Sequence, residues 1–527
     1  MGKYINSGNA LFRISRNSRI YVDKSMLISL TNGFLGGEFR FLCVSRPRRF
    51  GKSMAANMLS SYYDESCDSK ELFHGLKIED DSSFSEHLNK YPVIHLDVAY
   101  LLSKIDLSDG NVSGIEALVI RDMEQAYPAL KEAHFTALDD AVFFLYEKTG
   151  KQFVFIIDEW DAVFREYKDN EKVQESYISL LRRLFKSSTI SPAVALAYMT
   201  GILPIKKYNT QSALNNFTEF NMLNPDQFAP FIGFTEDEVE ALCKKYDMNF
   251  DEMKKWYDGY SFPPGISVYS PYSVVNAINR NSIANYWTET SSFGDAKDYI
   301  NMGFDGLKED ITRMMAGEPC PVNVRNFEND FVTLHDKDQV MTLLIHLGYL
   351  AYDQKEKKAY IPNLEVSEKL SDAIVSSDWG YASNALQNSR DLLWATWNGK
   401  EEFVAKIVES TLDQLSSFMS YNKESDLTLV ISLAYYAARE YYHVKREFPS
   451  DHGYADVAFV PRKGYDVMPM IIELKWDKGS DDAVAQIYKK KYLDAFRSEY
   501  KEAIVCGINY TASDKEHTCR IEKVALK

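Results

Sequence analysis

The sequence predicts a multidomain α/β protein of 527 residues, and three observations support that prediction. Short, continuously apolar runs recur through the N-terminal part, and helix-length segments separate them. Continuous apolar character is typical of strands buried on both faces of a parallel sheet. The last hundred or so residues then show the order helix, hairpin, helix, strand, which predicts a second and smaller α/β unit.

The apolar runs predict the strands of the first domain. They are Phe39–Val44, Val93–Leu96, Phe153–Ile157 and Ala193–Met199. A loop that ends in Gly51-Lys52-Ser53 follows the first run, and a helix-compatible segment begins at Met54. Strand, loop and helix in this order predict one α/β domain that covers about the first 230 residues.

The remaining chain is expected to divide into three parts. Thr235 and Glu238 form a capping-box pattern, which predicts a helix in a short helical lid. A helix ending near Gly348 and a hairpin around the charged turn Lys355–Lys358 resemble a winged-helix module. The predicted limits are 1–232 for the α/β core, 233–292 for the lid, 293–420 for the winged-helix-like segment and 421–527 for the C-terminal α/β domain.

Composition narrows the class of protein. The net charge of -16 argues against a protein that coats nucleic acid nonspecifically, although a local basic groove is compatible with it. Six cysteines occur without a CxxC pair, which argues against a zinc site and a disulfide framework. The sequence has no signal-peptide pattern and no membrane-length apolar run. We therefore expect a cytoplasmic protein with no membrane partner.

The first candidate site is a nucleotide site. A lysine at the end of a glycine-containing loop neutralises phosphate oxygens, and the following hydroxyl ligates Mg²⁺. Asp158 ends a buried strand, where it can hold Mg²⁺, and the adjacent Glu159 can deprotonate the attacking water. The predicted cofactors are ATP and Mg²⁺. The predicted nucleotide-binding residues are Arg48, Arg49, Phe50, Gly51, Lys52, Ser53, Asp158 and Thr200, with Ser53 and Asp158 as metal ligands.

Several of these residues also have simpler interpretations. Thr200 either contacts the γ-phosphate or the lytic water, or simply ends a strand before a glycine. The loop arginines either contact phosphates or form a solvated basic face. Arg182 and Arg183 either reach a neighbouring subunit or are solvated, so a homo-oligomer is possible. Arg46 stands where the usual phosphate-loop pattern has its first glycine.

The second candidate site lies in the C-terminal domain. Asp456 precedes a turn, and Glu473 and Lys475 alternate on the next strand, so both face one side of it. Two carboxylates can hold a hard cation, and a lysine beside them can position a water or balance phosphate charge. Gln486 and Tyr492 follow on the next helix. The alternative is an ordinary cross-strand ion-pair ladder.

A series of motifs occurs in order along the chain: Tyr21–Ser25, Arg46–Ser53, Asp158–Asp161, Thr200–Ile202, Trp256–Tyr260, Tyr269–Ser273, Ile361–Val366, and the positions Gly453, Asp456, Glu473–Lys475, Gln486 and Tyr492. Together these motifs resemble the predicted AAA-ATPase-like family of bacterial proteins with a C-terminal PD-(D/E)XK nuclease-superfamily domain. The resemblance implies that Lys52, Ser53, Asp158 and Glu159 form the nucleotide site. It implies that Asp456, Glu473 and Lys475 form the nuclease site.

Two functions of different classes remain open at this stage. The first is an ATP-hydrolysing protein coupled to a Mg²⁺-dependent nuclease, with catalytic residues Glu159, Asp456, Glu473, Lys475 and Gln486 and metal ligands Asp456 and Glu473. Its partner would be nucleic acid, with DNA expected over RNA. The alternative is a nucleotide-driven switch or scaffold whose C-terminal domain binds nucleic acid or protein without cutting.

Overall fold

The computed structural model describes residues 2–205, 207–208, 211–212, 214–287, 293–327, 334–377, 379–415, 424–450, 453–514 and 516–526. The chain forms two compact units. Unit 1 comprises Met1–Tyr286 and Pro321–Leu364, and unit 2 comprises Trp287–Cys320 and Glu365–Lys527. Within the described ranges, no helix combines the length and the apolar character needed to cross a membrane.

The elements are numbered in chain order. The helices are α1 (Ala10–Arg16), α2 (Met26–Asn32), α3 (Lys52–Tyr63), α4 (Lys70–Phe73), α5 (Phe84–His87), α6 (Val98–Leu102), α7 (Ser113–Ala126), α8 (Leu138–Thr149), α9 (Ala162–Glu166), α10 (Glu171–Lys186), α11 (Glu236–Tyr246), α12 (Phe250–Tyr257), α13 (Pro271–Arg280), α14 (Phe293–Ile300), α15 (Leu307–Met315), α16 (Lys337–Leu347), α17 (Leu364–Ser376), α18 (Tyr381–Trp397), α19 (Glu401–Leu415), α20 (Glu424–Ala434) and α21 (Ser480–Lys489). The strands are β1 (Phe41–Ser45), β2 (Val93–Asp97), β3 (Phe153–Asp158), β4 (Val194–Gly201), β5 (Lys207–Tyr208), β6 (Gln211–Ser212), β7 (Thr218–Phe220), β8 (Phe234–Thr235), β9 (Tyr260–Phe262), β10 (Ile266–Tyr269), β11 (Cys320–Pro321), β12 (Ala351–Asp353), β13 (Lys358–Tyr360), β14 (Tyr442–Ser450), β15 (Gly453–Pro461), β16 (Met470–Trp476), β17 (Glu502–Thr511) and β18 (Glu516–Ala525).

A five-stranded parallel sheet forms the centre of unit 1, in the order β2-β3-β4-β1-β7. Four of its strands coincide with the four apolar runs, so the predicted parallel sheet is confirmed. Strands β1, β3 and β4 are buried along their whole length, as expected for strands covered on both faces. The fifth strand, β7, is only three residues long, and the sequence pattern did not reveal it.

The sheet order brings the chemically important strand ends together. Strand β4 lies between β1 and β3, and the register aligns Val44 with Thr200 and Thr200 with Asp158. All three strands run in the same direction. Their carboxyl ends, which carry the loop before α3, Thr200 and Asp158, therefore meet at one edge of the sheet.

The second part of unit 1 contains short helices and small antiparallel sheets. Thr235 and Glu238 form the expected capping box at the start of α11. Helix α16 and the hairpin of β12 and β13 are also present, and the segment that contains them belongs to unit 1. The chain segments on either side of it belong to unit 2. The predicted limits of the four domains remain predictions.

Unit 2 contains a mixed five-stranded sheet in the order β14-β15-β16-β17-β18. Only β16 and β17 pair in parallel, and the other neighbours are antiparallel. Helix α21 joins β16 to β17 and packs on both. This packing requires a glycine, because a Cβ on Gly507 would lie 2.2 Å from the carbonyl oxygen of Ser480. Gly507 is paired with Glu473, so the close approach occurs beside the candidate site.

Candidate functional sites

The loop between β1 and α3 is organised around the Lys52 side chain. Its ammonium donates to the backbone oxygens of Arg46 at 3.0 Å and Pro47 at 2.8 Å. Burial lowers the pKa of Lys52 to about 8, and the negative charge of Asp158 opposes this effect only in part. A phosphate oxygen is a stronger acceptor for an ammonium group than a neutral carbonyl. The loop therefore holds a buried cation that an anionic ligand can draw away from the carbonyls.

The conformation of this loop depends on left-handed backbone at two positions. Gly51, the residue before α3, has φ of 90°, and Arg49 has φ of 67°. A Cβ on Gly51 would meet no atom within 4 Å, so the backbone angle and not space selects glycine there. Helix α3 begins directly after this turn, so its first amide groups and its dipole face the loop.

Ser53 and Asp158 lie together beneath this loop. The Ser53 hydroxyl donates to the Asp158 carboxylate, which also accepts from the Glu159 backbone amide at 3.0 Å. Burial raises the pKa of Asp158 to about 6, while the Ser53 hydrogen bond and the Lys52 charge act in the opposite direction. A hydroxyl and a carboxylate are hard oxygen donors of the kind that Mg²⁺ prefers. These two residues therefore fit the predicted metal position.

Glu159 is positioned by a residue that the sequence did not reveal. Arg165 contacts the Glu159 carboxylate at 2.5 Å and the Asp161 carboxylate at 3.4 Å. Burial raises the pKa of Glu159, but the charge and hydrogen bond of Arg165 outweigh it, so the net pKa is lowered. The Asp161 carboxylate also accepts from the amides of Ile202 and Leu203, each at 3.0 Å. These contacts keep Glu159 ionised and fix the turn that carries it.

Thr200 offers a buried hydroxyl without a protein partner. Its side chain is fully buried and its Oγ1 forms no hydrogen bond within the described chain. Its neighbours in the sheet are Val44, just before the loop, and Asp158. Leaving a buried hydroxyl unpaired costs roughly 1–3 kcal/mol, so a ligand oxygen or a water is expected to satisfy it. The contact of Thr200 with nucleotide or water stays a prediction.

The other predicted loop residues have different surroundings. Arg48 is half-buried, and its charge contributes to the lowered pKa of Glu159, which places it near the site. Arg49 lies 3.9 Å above the ring of Tyr272. Phe50 is buried in an edge-to-face contact with Tyr260, with ring centroids 5.4 Å apart. Arg49 and Phe50 thus anchor the loop to the β9–α13 region by their side chains.

Arg46 does not face solvent as a loop arginine would. It is completely buried, donates to the backbone oxygen of Ser45 at 2.8 Å and lies over the ring of Phe262 at 5.4 Å. Burial lowers its pKa to about 10. The arginine that replaces the usual glycine therefore packs into the interior of unit 1, where its guanidinium contacts a carbonyl oxygen and an aromatic ring.

Arg183 is held within its own unit. It forms ion pairs with Glu116 at 2.5 Å and Asp139 at 3.2 Å, while Arg182 is exposed. An arginine that acts in a neighbouring subunit must extend outwards, and Arg183 would have to release two carboxylates first. The role of either arginine in a neighbouring subunit stays a prediction.

The candidate site of unit 2 brings all its predicted residues together. The Asp456 carboxylate accepts from the Leu474 amide at 2.7 Å, which holds β15 beside β16 at this level. One oxygen of Glu473 contacts Lys475 Nζ at 3.0 Å and also accepts from Gln486 on α21. Lys475 donates to the Leu474 backbone oxygen as well, at 3.0 Å. These contacts link two strands and the helix packed on them.

The charges of this site favour a cation. Burial and the nearby negative charge of Asp456 raise the pKa of Glu473 to about 7, while Lys475 opposes the shift. The second oxygen of Glu473 is buried and has no hydrogen-bond partner in the described chain. A buried acceptor of this kind calls for a donor or a metal ion. Asp456 and Glu473 therefore fit a divalent cation, although the described residues contain no group of three or more acidic, histidine or cysteine side chains arranged to hold a metal.

Fold and contacts together can be compared with known classes of protein. Unit 1 has the order of strand, loop and helix that is typical of P-loop proteins, with Lys52 directed into the loop, and unit 2 has two carboxylates and a lysine on neighbouring strands of a mixed sheet. Residues 9–210 match the family model described as predicted AAA-ATPase. Residues 428–520 match the model of the PD-(D/E)XK nuclease superfamily. The N-terminal part of the chain is therefore similar to predicted AAA-ATPases, and the C-terminal part is similar to the PD-(D/E)XK nuclease superfamily.

Two further proteins are similar to this chain. A protein of Azotobacter chroococcum mcd 1, named only as an uncharacterized protein in the vnfD 5′ region, is 23% identical over 344 residues. That match covers 63% of this chain and 62% of the relative. The solved structure of the Aeropyrum pernix ORC2 protein in ADPNP and ADP complexes is 13% identical, and the match covers 70% of this chain and 93% of that one. Its TM-score is 0.30, which is too low to carry an argument.

Proposed function

We propose that this protein is an ATP-controlled, Mg²⁺-dependent nuclease of the cytoplasm, acting on nucleic acid, with DNA as the first substrate to test. One observation carries the proposal. Glu473 has a buried, unpartnered oxygen beside a second carboxylate and a lysine, in a domain of a nuclease superfamily. Buried polar atoms are normally hydrogen-bonded, so a metal ion at this oxygen would explain why the protein leaves it without a partner.

In unit 1, the proposed roles follow from the contacts. Lys52 leaves its loop carbonyls to bind the outer phosphates of ATP, and Thr200 hydrogen-bonds a phosphate oxygen or the attacking water. Glu159, kept ionised by Arg165, orients that water and accepts its proton. Mg²⁺ bound by Ser53 and Asp158 would neutralise phosphate charge.

In unit 2, Asp456 and Glu473 would hold the divalent cation, which supplies Lewis-acid activation of the phosphodiester. Lys475 is held within 3.0 Å of Glu473, where its charge can balance the negative charge of the phosphate in the transition state. Gln486 orients the Glu473 carboxylate through its amide. Each of these groups is preorganised by strands β15 and β16 and by helix α21.

The test measures cleavage and ATP turnover in the same preparations. Wild type, Glu473→Ala and Lys52→Ala are incubated with plasmid DNA, single-stranded DNA and RNA, with Mg²⁺ or Mn²⁺, and with or without ATP. Cleavage by wild type that both substitutions abolish supports a nucleotide-controlled nuclease. Intact nucleic acid in every reaction, with ATP turnover preserved in wild type and Glu473→Ala, contradicts it.

A second candidate function is a nucleotide-driven switch or scaffold that binds without cutting. The net charge of -16 favours it, because nonspecific phosphate binding draws on broad basic surfaces. This alternative predicts DNA binding that depends on salt, that is unchanged by Glu473→Ala, and that is accompanied by no cleavage. Detectable cleavage that requires Glu473 would exclude it.

A further inference from the structure

A second carboxylate lies beside Asp158 at the end of the neighbouring strand. Asp97 ends β2, and the register of the parallel strands pairs it directly with Asp158 at the end of β3. The same row of paired residues continues to Thr200 on β4. Directly paired residues on neighbouring strands point their side chains to the same face of the sheet, and the strands are about 4.8 Å apart. Asp97 and Thr200 therefore flank Asp158 on the face where Ser53 contacts it.

The negative charges of this row act on each other. Burial is the main cause of the raised pKa of Asp158, and the charges of Glu159 and Asp97 add to the increase. Like charges that lie opposite each other on neighbouring strands destabilise a sheet. A cation bound near Asp97 and Asp158 would replace this repulsion by attraction to both carboxylates.

One oxygen of Asp97 has a structural role, and the other is available. The side chain is exposed, and its Oδ1 accepts from the Tyr100 amide at 2.9 Å, which caps the start of α6. Within the described ranges, Asp97 forms no ion pair and no second side-chain hydrogen bond. Capping explains the position of the carboxylate but does not require its charge, because asparagine caps helices as well as aspartate does.

The other end of the row independently indicates a ligand. The Thr200 side chain is fully buried, and its hydroxyl has no partner in the described part of the chain. Buried hydroxyls are normally hydrogen-bonded, so an oxygen of a bound ligand or of its hydration shell is expected here. Asp158 thus lies between an unsatisfied buried hydroxyl and an available carboxylate oxygen.

We propose that Asp97 accepts hydrogen bonds from the water molecules of the Mg²⁺ ion at Ser53 and Asp158, and thereby strengthens binding of the metal-bound form of ATP. The inference rests on the proposed ATP and Mg²⁺ site of unit 1 and adds a residue to it. Mg²⁺ keeps several water molecules and is usually bound through one or two carboxylates together with the phosphates of its substrate. Strand β2 lies one place further from β1 and its loop than β3 does, so Asp97 acts through water and not as a direct ligand.

The experiment measures how much Mg²⁺ strengthens nucleotide binding. The full chain is titrated with a fluorescent, non-hydrolysable ATP analogue, once with excess Mg²⁺ and once in EDTA, and the ratio of the two dissociation constants is compared between variants. Asp97→Asn keeps the cap of α6 and removes the charge. It is expected to reduce the gain from Mg²⁺ roughly tenfold or more, the scale of losing an outer-shell partner of a metal. Affinity in EDTA stays the same or rises, because Asp97 no longer repels the metal-free phosphates.

Asp336→Asn is the matched control. Asp336 caps α16 in the same unit, is exposed, and accepts from the Gln339 amide at 2.9 Å, as Asp97 does from Tyr100. Its substitution leaves the gain from Mg²⁺ unchanged. The role of Asp97 is overturned if Asp97→Asn keeps the wild-type gain, if it weakens binding equally with Mg²⁺ and in EDTA, or if Asp336→Asn reduces the gain as much.

The two proposals can fail separately. If the wild type binds the analogue no better with Mg²⁺ than in EDTA, the proposed ATP and Mg²⁺ site fails, and the role of Asp97 fails with it. If the wild type gains from Mg²⁺ and Asp97→Asn gains equally, only the role of Asp97 fails. If the gain requires Asp97 but no nucleic acid is cut, the nuclease function fails and the role of Asp97 stands.

Discussion

The two candidate sites each contain a buried lysine near carboxylates, but they use the lysine differently. In unit 1, Lys52 donates to two backbone carbonyls, and the carboxylates of Asp158 and Glu159 have other partners. In unit 2, Lys475 donates to the Glu473 carboxylate itself. The first lysine is therefore neutralised only weakly, whereas the second is already paired with a formal negative charge.

This difference indicates whether each site favours a negatively or a positively charged ligand. A cation held by neutral carbonyls gains strongly from an incoming anion, as expected for a phosphate site. A carboxylate pair with a single lysine keeps an excess of negative charge, as expected for a site that takes up a metal ion. The local pairing of the lysine thus distinguishes two sites whose residue types look alike in sequence.

The largest expected effect is a loss of ATP affinity, which should occur when the lysine of the first site is replaced but not when the lysine of the second site is replaced. Lys52→Ala should weaken ATP binding roughly ten- to a hundredfold, the scale of losing one charge-assisted hydrogen bond. Lys475→Ala should leave ATP affinity unchanged, because the Lys475 ammonium contacts Glu473 in unit 2 and the candidate nucleotide site is in unit 1. Titration of each variant with a fluorescent ATP analogue measures both effects. Equal losses in the two variants would contradict the assignment.

A smaller effect is expected from a glycine beside the second site. Gly507→Ala places a methyl group 2.2 Å from the Ser480 carbonyl oxygen and should displace α21, which carries Gln486. Such overpacking costs about 1–3 kcal/mol, and it should lower the unfolding temperature of unit 2 while ATP binding persists. Gly303→Ala in the same unit is the control, since its added methyl group would meet no atom within 4 Å. Calorimetry that shows equal stability for both variants would contradict the close packing.

The smallest effect concerns pH and one buried histidine in each unit. Burial lowers the pKa of His346 to about 3 and that of His517 to about 4. At mildly acidic pH, each histidine is therefore protonated in the unfolded chain but neutral in the folded chain. The stability from each neutral histidine is complete above its unfolded pKa of about 6.5 and is lost as pH falls towards the folded value.

At pH 5.5, each histidine should cost the wild type about 1.4 kcal/mol relative to neutral pH. The variants His346→Leu in unit 1 and His517→Phe in unit 2 should each lose less stability than the wild type at pH 5.5, because the histidine that would be protonated on unfolding is absent. Urea unfolding of wild type and variants at pH 7.5 and pH 5.5 measures the difference. A wild type and variant whose stabilities fall in parallel would show that the histidine is not kept neutral in the folded state.

Much of the fold could be predicted because it depends on local pattern. Continuous apolar runs, which are typical of strands buried on both faces, predicted β1 to β4. The capping box predicted the start of α11. The short β7 escaped prediction because three residues carry too little pattern. The site motifs were visible for the same local reason. The role of Arg165 was not visible, because an arginine six residues after a glutamate does not form a recognisable motif. Helix α9 brings the two side chains into contact only in the folded protein.

Two α/β units and the residue types of two sites could be read from the sequence, because strand burial and loop chemistry depend on residues that are neighbours along the chain. The partner of each charged group depends on the folded arrangement of the chain. It placed β4 between β1 and β3, and it paired Lys52 with carbonyls and Lys475 with Glu473. Such contacts depend on strand order and helix packing. They determine charge and burial, and these in turn set what each site can bind.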